Sequence, residues 1–83
     1  MMMKLTKIAR GHIVLKDGSR TATIYGEAFI RGHGSPDFIV YFNTILRWDF
    51  PNDDCEISSQ EKSEIIKFLR DAFIRRNMTV EID

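Results

Sequence analysis

The stretch Ser58-Ser59-Gln60-Glu61-Lys62-Ser63-Glu64-Ile65-Ile66-Lys67-Phe68-Leu69-Arg70-Asp71-Ala72-Phe73-Ile74-Arg75-Arg76-Asn77 decides the fold, because it is the one convincing helix in the chain. Ser58 and Glu61 stand at capping-box spacing. The Ser58 hydroxyl can accept from the Glu61 amide while the Glu61 carboxylate accepts from the Ser58 amide. Ile65, Ile66, Leu69, Ala72 and Phe73 recur at helical spacing and form one apolar stripe. Arg75 and Arg76 suit the negative pole of the helix dipole. Asn77 suits a left-handed C-terminal cap, since Asn tolerates positive φ better than most residues other than Gly. A helix of this kind, set within residues 57–78, needs an apolar surface to lie on, and the rest of the chain must supply it.

Eighty-three residues make one small domain, residues 1–83, burying about 60–65% of its unfolded surface on folding. A hydrophobic content of 43% is enough for a core and argues against disorder. Twelve basic and twelve acidic residues cancel, so net charge steers the protein toward neither nucleic acid nor membrane. Cys55 is the single cysteine and has no internal disulfide partner, which fits a reducing compartment. The first residues, Met1-Met2-Met3-Lys4-Leu5, hold no long apolar run, so neither a signal peptide nor a membrane span is expected to begin there. The cytoplasm is the expected location. No repeat or linker divides the chain.

Residues 12–16 read as a strand and residues 20–25 as its partner, joined through Asp17-Gly18-Ser19, where Gly supplies positive φ. Gly26 reads as a break or bulge, with residues 27–31 a third strand. Residues 32–36 read as a loop. Residues 37–42, β-branched and aromatic throughout, are the strongest strand. Residues 43–50 suit a short extended piece or one turn of helix, and Pro51 ends either. Residues 51–54 read as a turn and residues 79–82 as a final strand. The expected class is α+β: an antiparallel meander of about four strands, covered by one long C-terminal helix and followed by a short last strand.

Reactive groups are sparse. His33, between Gly32 and Gly34, has no Ser/Asp or Cys/Asn partner at a triad-like spacing and reads as a loop residue, and His12 as a strand residue. A metal set of His12, His33 and Cys55 lacks the closely spaced ligand pair that fixes zinc. Asp49, Asp53, Asp54 and Glu56 lack the spacing of a calcium loop and read as a solvated turn ahead of the helix N-terminus. Catalytic residues, cofactors and metals are therefore assigned to no position. Trp48 is expected in the core with Ile65, Ile66, Leu69 and Phe73.

From Arg10 onward the chain resembles the immunity protein 74 family of bacterial polymorphic toxin systems. The matching pieces are Arg10-Gly11-His12-Ile13, Tyr25-Gly26-Glu27, Phe38-Ile39-Val40-Tyr41, Ile45, Trp48-Asp49, Pro51, Ile57-Ser58, Glu61-Lys62, Ile65-Ile66 and Val80-Glu81-Ile82. Tyr41, Ile45, Trp48-Asp49 and Pro51 ahead of the capped helix carry most of the weight. Asn77 stands where the pattern has Gly. The resemblance implies a non-catalytic protein that binds and neutralises a cognate toxin.

Alternation along the strands fixes a second expectation. If Ile13, Leu15, Ala22, Ile24, Ala28, Ile30, Phe38, Val40 and Phe42 lie beneath the helix, Val14, Thr23, Tyr25, Phe29, Ile39 and Tyr41 face the other way. With no second helix to cover it, that face is expected to bind a partner, either the toxin or a second copy in a homodimer. Tyr25, Phe29, Ile39 and Tyr41 would be central and Arg31 would stand at the rim. The residues also admit a single-stranded nucleic-acid-binding regulator that stacks bases on Tyr25, Phe29 and Tyr41. The zero net charge and the absence of a basic run to hold phosphates stand against it. The bland alternative is that residues 5–8 lie across this face.

Overall fold

The computed structural model describes residues 2–30 and 34–83. Its strands are β1 (Met3–Ile8), β2 (His12–Asp17), β3 (Arg20–Ala28), β4 (Phe38–Val40) and β5 (Val80–Ile82), and its helix is α1 (Ser59–Arg75). They form a five-stranded sheet in chain order, β1-β2-β3-β4-β5. Neighbours pair antiparallel up to β4, and β5 pairs parallel to β4. Parallel neighbours cannot be joined by a tight hairpin, so a crossover must lie between them, and α1 is that crossover. The class is α+β, as expected.

The decisive helix forms as its sequence requires. The Ser58 hydroxyl accepts from the Glu61 amide at 3.1 Å, and the Glu61 carboxylate accepts from the Ser58 amide at 2.9 Å. At the other end Asn77 takes φ 56°. The Met78 amide then donates to the Phe73 carbonyl and the Asn77 amide to that of Ile74, both at 2.9 Å. These two bonds are the Schellman pair that satisfies the last carbonyls of a helix. Ile65, Leu69, Ala72 and Phe73 are buried and Ile66 is half-buried, so the stripe lies where its spacing puts it.

The core is the layer between α1 and one face of the sheet. Ile13, Leu15, Ala22, Ile24, Phe38 and Val40 from the sheet, and Ile65, Leu69 and Phe73 from the helix, are fully removed from water. The Phe38 and Phe73 rings meet at 6.0 Å in a tilted arrangement. Trp48 is buried among them, as expected, with the Arg20 guanidinium 4.0 Å from its ring centroid.

Four details depart from the expectation. Residues 3–8 do not cross the sheet but extend it as edge strand β1. Thr6 is an extra residue between Leu5, opposite Leu15, and Lys7, opposite Val14. That bulge breaks the period-two pattern by which a strand is recognised in sequence. Gly26 does not interrupt the second strand, so the expected second and third strands are one. A side chain there would strike the Ile39 carbonyl and the Phe38 ring, so Gly26 is a site of close approach. Ala28 and Ile30 are exposed, Ile30 lying past the end of β3, and Phe42 is exposed because β4 stops at Val40 and a 3-10 turn (Phe42–Thr44) follows. Residues 43–50 hold both expected alternatives, since after that turn Arg47 pairs with Glu56 in an isolated antiparallel bridge.

Candidate partner-binding site

The face of the sheet turned away from α1 has no element of the described chain laid over it. Residues opposite one another in an antiparallel pair share a face, so the partners of Lys16, Val14 and Ile39 place Lys4, Lys7 and Glu27 on it as well. Tyr25 is an exposed large hydrophobic side chain there, at 53% exposure. His12, directly opposite, tilts its ring against it with centroids 6.3 Å apart. Ile39 and Tyr41 are half-buried beside it. The Tyr41 hydroxyl donates to the Glu27 carboxylate at 3.1 Å, and that bond raises the Tyr41 pKa. Tyr25, Ile39 and Tyr41 therefore share one face. Phe29 lies past the end of β3 and is half-buried. Arg31 and His33 lie outside the described residues.

The face is more polar than the expectation allowed. Lys4, Lys7 and Lys16 line its β1–β2 side, and Thr21, Thr23 and Glu27 follow β3. Lys4 and Lys7 belong to β1, the strand whose bulge concealed it, while Lys16 follows from the alternation of β2.

One margin of the face is finished by side chains. β3 is nine residues long, but β4 pairs with only Gly26, Glu27 and Ala28. The Thr23 amide donates to the Asp49 carboxylate at 3.3 Å and the Thr23 hydroxyl at 2.7 Å, while the Asp49 amide donates to the Thr21 carbonyl at 2.7 Å. The Tyr25 amide donates to the Thr44 hydroxyl at 3.1 Å and its carbonyl accepts from the Tyr41 amide at 2.9 Å. An edge that would otherwise offer free backbone groups is thereby satisfied. Nothing in the strand pattern pointed to this use of Asp49.

A three-membered charge cluster ties this margin to the helix cap. Arg20 contacts Asp17 at 2.8 Å and Glu61 at 3.1 Å. The Asp17 bond holds the Arg20 guanidinium more firmly protonated. The Ser58 amide, and after it Arg20, holds the Glu61 carboxyl below its ordinary range. These contacts brace the fold and leave no reactive group poised.

Other surface features supply little chemistry. A groove of about 390 Å³ between β1 and α1 is lined by Met2, Met3 and Phe68 under Lys67, Asp71 and Arg75, with no nucleophile–base pair. Cys55 is exposed, its thiol 3.7 Å from the Asp54 carboxylate. Among the described residues no group of three or more His, Cys, Asp or Glu side chains is placed to hold a metal. Among them, too, no helix is long and apolar enough to cross a membrane.

The family model described as Immunity protein 74 matches residues 5–83, nearly the whole chain. The chain belongs to that family, and the resemblance read from its residues is borne out. No curated protein and no solved structure matches it. The pieces that carried the resemblance have structural work in this fold: Ile45 and Trp48 fill the core, Asp49 closes the β3 edge, and Ser58 and Glu61 cap α1.

Proposed function

We propose that this immunity protein 74 family member neutralises a cognate toxin protein by binding it in the cytoplasm, without catalysis. The match of the family model over residues 5–83 carries this reading. The structure adds a surface that suits it. The open sheet face has an aromatic centre of Tyr25 and Tyr41 with Ile39, and a rim of Lys4, Lys7, Lys16 and Glu27. Aromatic centres with charged rims suit interfaces between proteins that also exist apart. A permanent homodimer would favour a more apolar face, so the toxin is the proposed occupant.

Co-expression tests the function. Cells making the toxin encoded beside this gene should survive when they also make this protein, and the two should co-purify. Cell death despite a soluble, folded product would count decisively against it.

A second reading has one observation in its favour: Lys4, Lys7 and Lys16 stand on the same face as Tyr25 and His12. Lysines beside stacking rings are how single-stranded nucleic acid is held. Titration of a labelled oligonucleotide at low and physiological salt tests it, and no binding at low salt would end it.

A further inference from the structure

Residues 46–57 form a hydrogen-bonded arm at the β3 margin. Its two sides are joined by the Ile57 amide on the Leu46 carbonyl at 2.8 Å and the Trp48 amide on the Cys55 carbonyl at 3.3 Å. Its tip is folded by the Asn52 amide on the Asp49 carbonyl at 2.8 Å and the Cys55 amide on the Asn52 carbonyl at 3.0 Å. Trp48 in the core and Asp49 on Thr21 and Thr23 fix its root. The arm is therefore braced at both ends.

On this braced tip Phe50 is 85% exposed, the most exposed large apolar side chain among the described residues. Single exposed apolar residues need no explanation. Here, though, Phe42, Leu46 and Phe50, three of the seven such residues, fall within nine positions. The surroundings are acidic. Asp53, Asp54 and Glu56 are all exposed, and the one nearby cation on the arm, Arg47, reaches Glu56 at 3.5 Å. The chain as a whole is neutral, so this arm is a local concentration of negative charge in the segment that carries Phe50.

Resting on the toxin-binding reading above, we propose that Phe50 is the anchor of the toxin contact. It enters an apolar pocket on the toxin that is ringed by lysine or arginine, and Asp53 and Asp54 face those cations. Charge complementarity favours this occupant: a basic protein surface satisfies the carboxylates, whereas a second copy laid arm to arm would oppose like charges. Continuity with the open face supports a single interface. Asp49, the residue before Phe50, is bonded to Thr23, and Thr23 is two positions from Tyr25 on the same strand and face. A backbone already ordered by these bonds also loses little freedom on binding, which suits a hot spot.

The test uses the toxin encoded beside this gene, purified with the protein and separated from it, with affinity measured for wild type, Phe50→Ala and the double variant Asp53→Asn/Asp54→Asn. Phe50→Ala is expected to weaken binding by roughly 30-fold or more, the level of a hot-spot truncation, with an unchanged melting temperature. The double variant is expected to slow association and flatten its salt dependence while altering dissociation little. Binding of Phe50→Ala within threefold of wild type, with wild type still protective, overturns the anchor and leaves the toxin-binding function standing. If wild type neither binds nor protects, that function fails and the anchor with it. If Phe50→Ala melts early, the double variant decides: an unaltered salt dependence overturns the proposal.

Discussion

The two faces of the sheet are built from the same strands and have opposite fates. On the helix side, Ile13, Leu15, Ala22, Ile24, Phe38 and Val40 are fully withdrawn from water. On the other side Tyr25 keeps half its surface, among Lys4, Lys7, Lys16, Thr23 and Glu27. Strand alternation makes the two sets inseparable, since moving one residue across the sheet moves its neighbours back. The covered face answers to the helix stripe. The open face answers to water and to whatever the protein binds, so changes on the two sides should separate stability from recognition.

The largest separation is expected on the covered side. Leu69 is fully buried at the centre of the α1 stripe, and Leu69→Ala should cost about 2–5 kcal/mol through lost burial and a cavity. Ile74, on the outer side of the same helix, is 71% exposed, and Ile74→Ala should change stability by less than about 0.5 kcal/mol. Urea midpoints for the pair measure this, and equal losses would mean that the helix face is misassigned. Gly26→Ala tests the same layer from the sheet. Its methyl group would strike the Ile39 carbonyl and the Phe38 ring, with an expected loss of about 1–3 kcal/mol from overpacking.

Those residues show how legible the covered face was. The capping box, the stripe and the left-handed Asn77 follow from local chemistry that acts within a few residues, and each stands where its spacing placed it. β1 was hidden because Thr6 interrupts its alternation, and the pairing of Leu5 with Leu15 depends on a residue ten positions away. The arm was read as a short extended piece or one turn of helix over residues 43–50, followed by a turn at residues 51–54. Its order comes from Asp49 meeting Thr23 across 26 positions, and no local pattern encodes that. Phe29 and Ile30 were assigned to a third strand that the close approach at Gly26 made unnecessary. The set Tyr25, Ile39 and Tyr41 was legible as one face, because alternation within strands is local. Lys4 and Lys7 of the rim were not, because they belong to the hidden strand, whereas Lys16 follows from the alternation of β2.

The margin between the faces should yield the next effect. Asp49→Ala removes both acceptors used by Thr23 and leaves the Thr23 amide without its acceptor at a half-buried edge. An unsatisfied group of that kind costs about 1–3 kcal/mol. Thermal melting reads the loss. Hydrogen exchange should locate it at the Thr23 amide, and exchange unchanged there would show that the Asp49 carboxylate does not hold the edge.

A smaller effect is expected at the helix cap, and it depends on pH. The folded protein lowers the Glu61 carboxyl below its ordinary 4.5, so the unfolded chain takes up that proton first as pH falls. The stabilisation is therefore complete above the ordinary value and is lost as pH drops through the lower folded one. Glu61→Gln keeps a capping group without the charge. It should lower stability at neutral pH by at most about 1 kcal/mol and flatten the decline in acid. Urea midpoints between neutral pH and pH 3 would show this, and parallel profiles for the two proteins would assign the acid sensitivity to other carboxylates.

The smallest stability effect, and the sharpest test of the open face, is expected from Tyr25→Glu. Tyr25 is exposed and its side chain makes no hydrogen bond among the described residues, only a tilted ring contact with His12, so the change should alter folding by less than about 0.5 kcal/mol. Tyr41 is the poorer site for the same test, because a carboxylate there would stand against Glu27, to which the Tyr41 hydroxyl is bonded. If the open face is kept for a toxin, wild type alone should sediment as a 9.7 kDa monomer and so should Tyr25→Glu. Only wild type should then form the full-affinity complex with the toxin, because a buried charge opposite an aromatic pocket is desolvated without a partner. A wild-type dimer that Tyr25→Glu splits would instead give the face to a second copy of the chain. The lysine rim bears on that outcome, since a two-fold arrangement that laid the β1–β2 sides of both copies together would bring Lys4, Lys7 and Lys16 onto one patch.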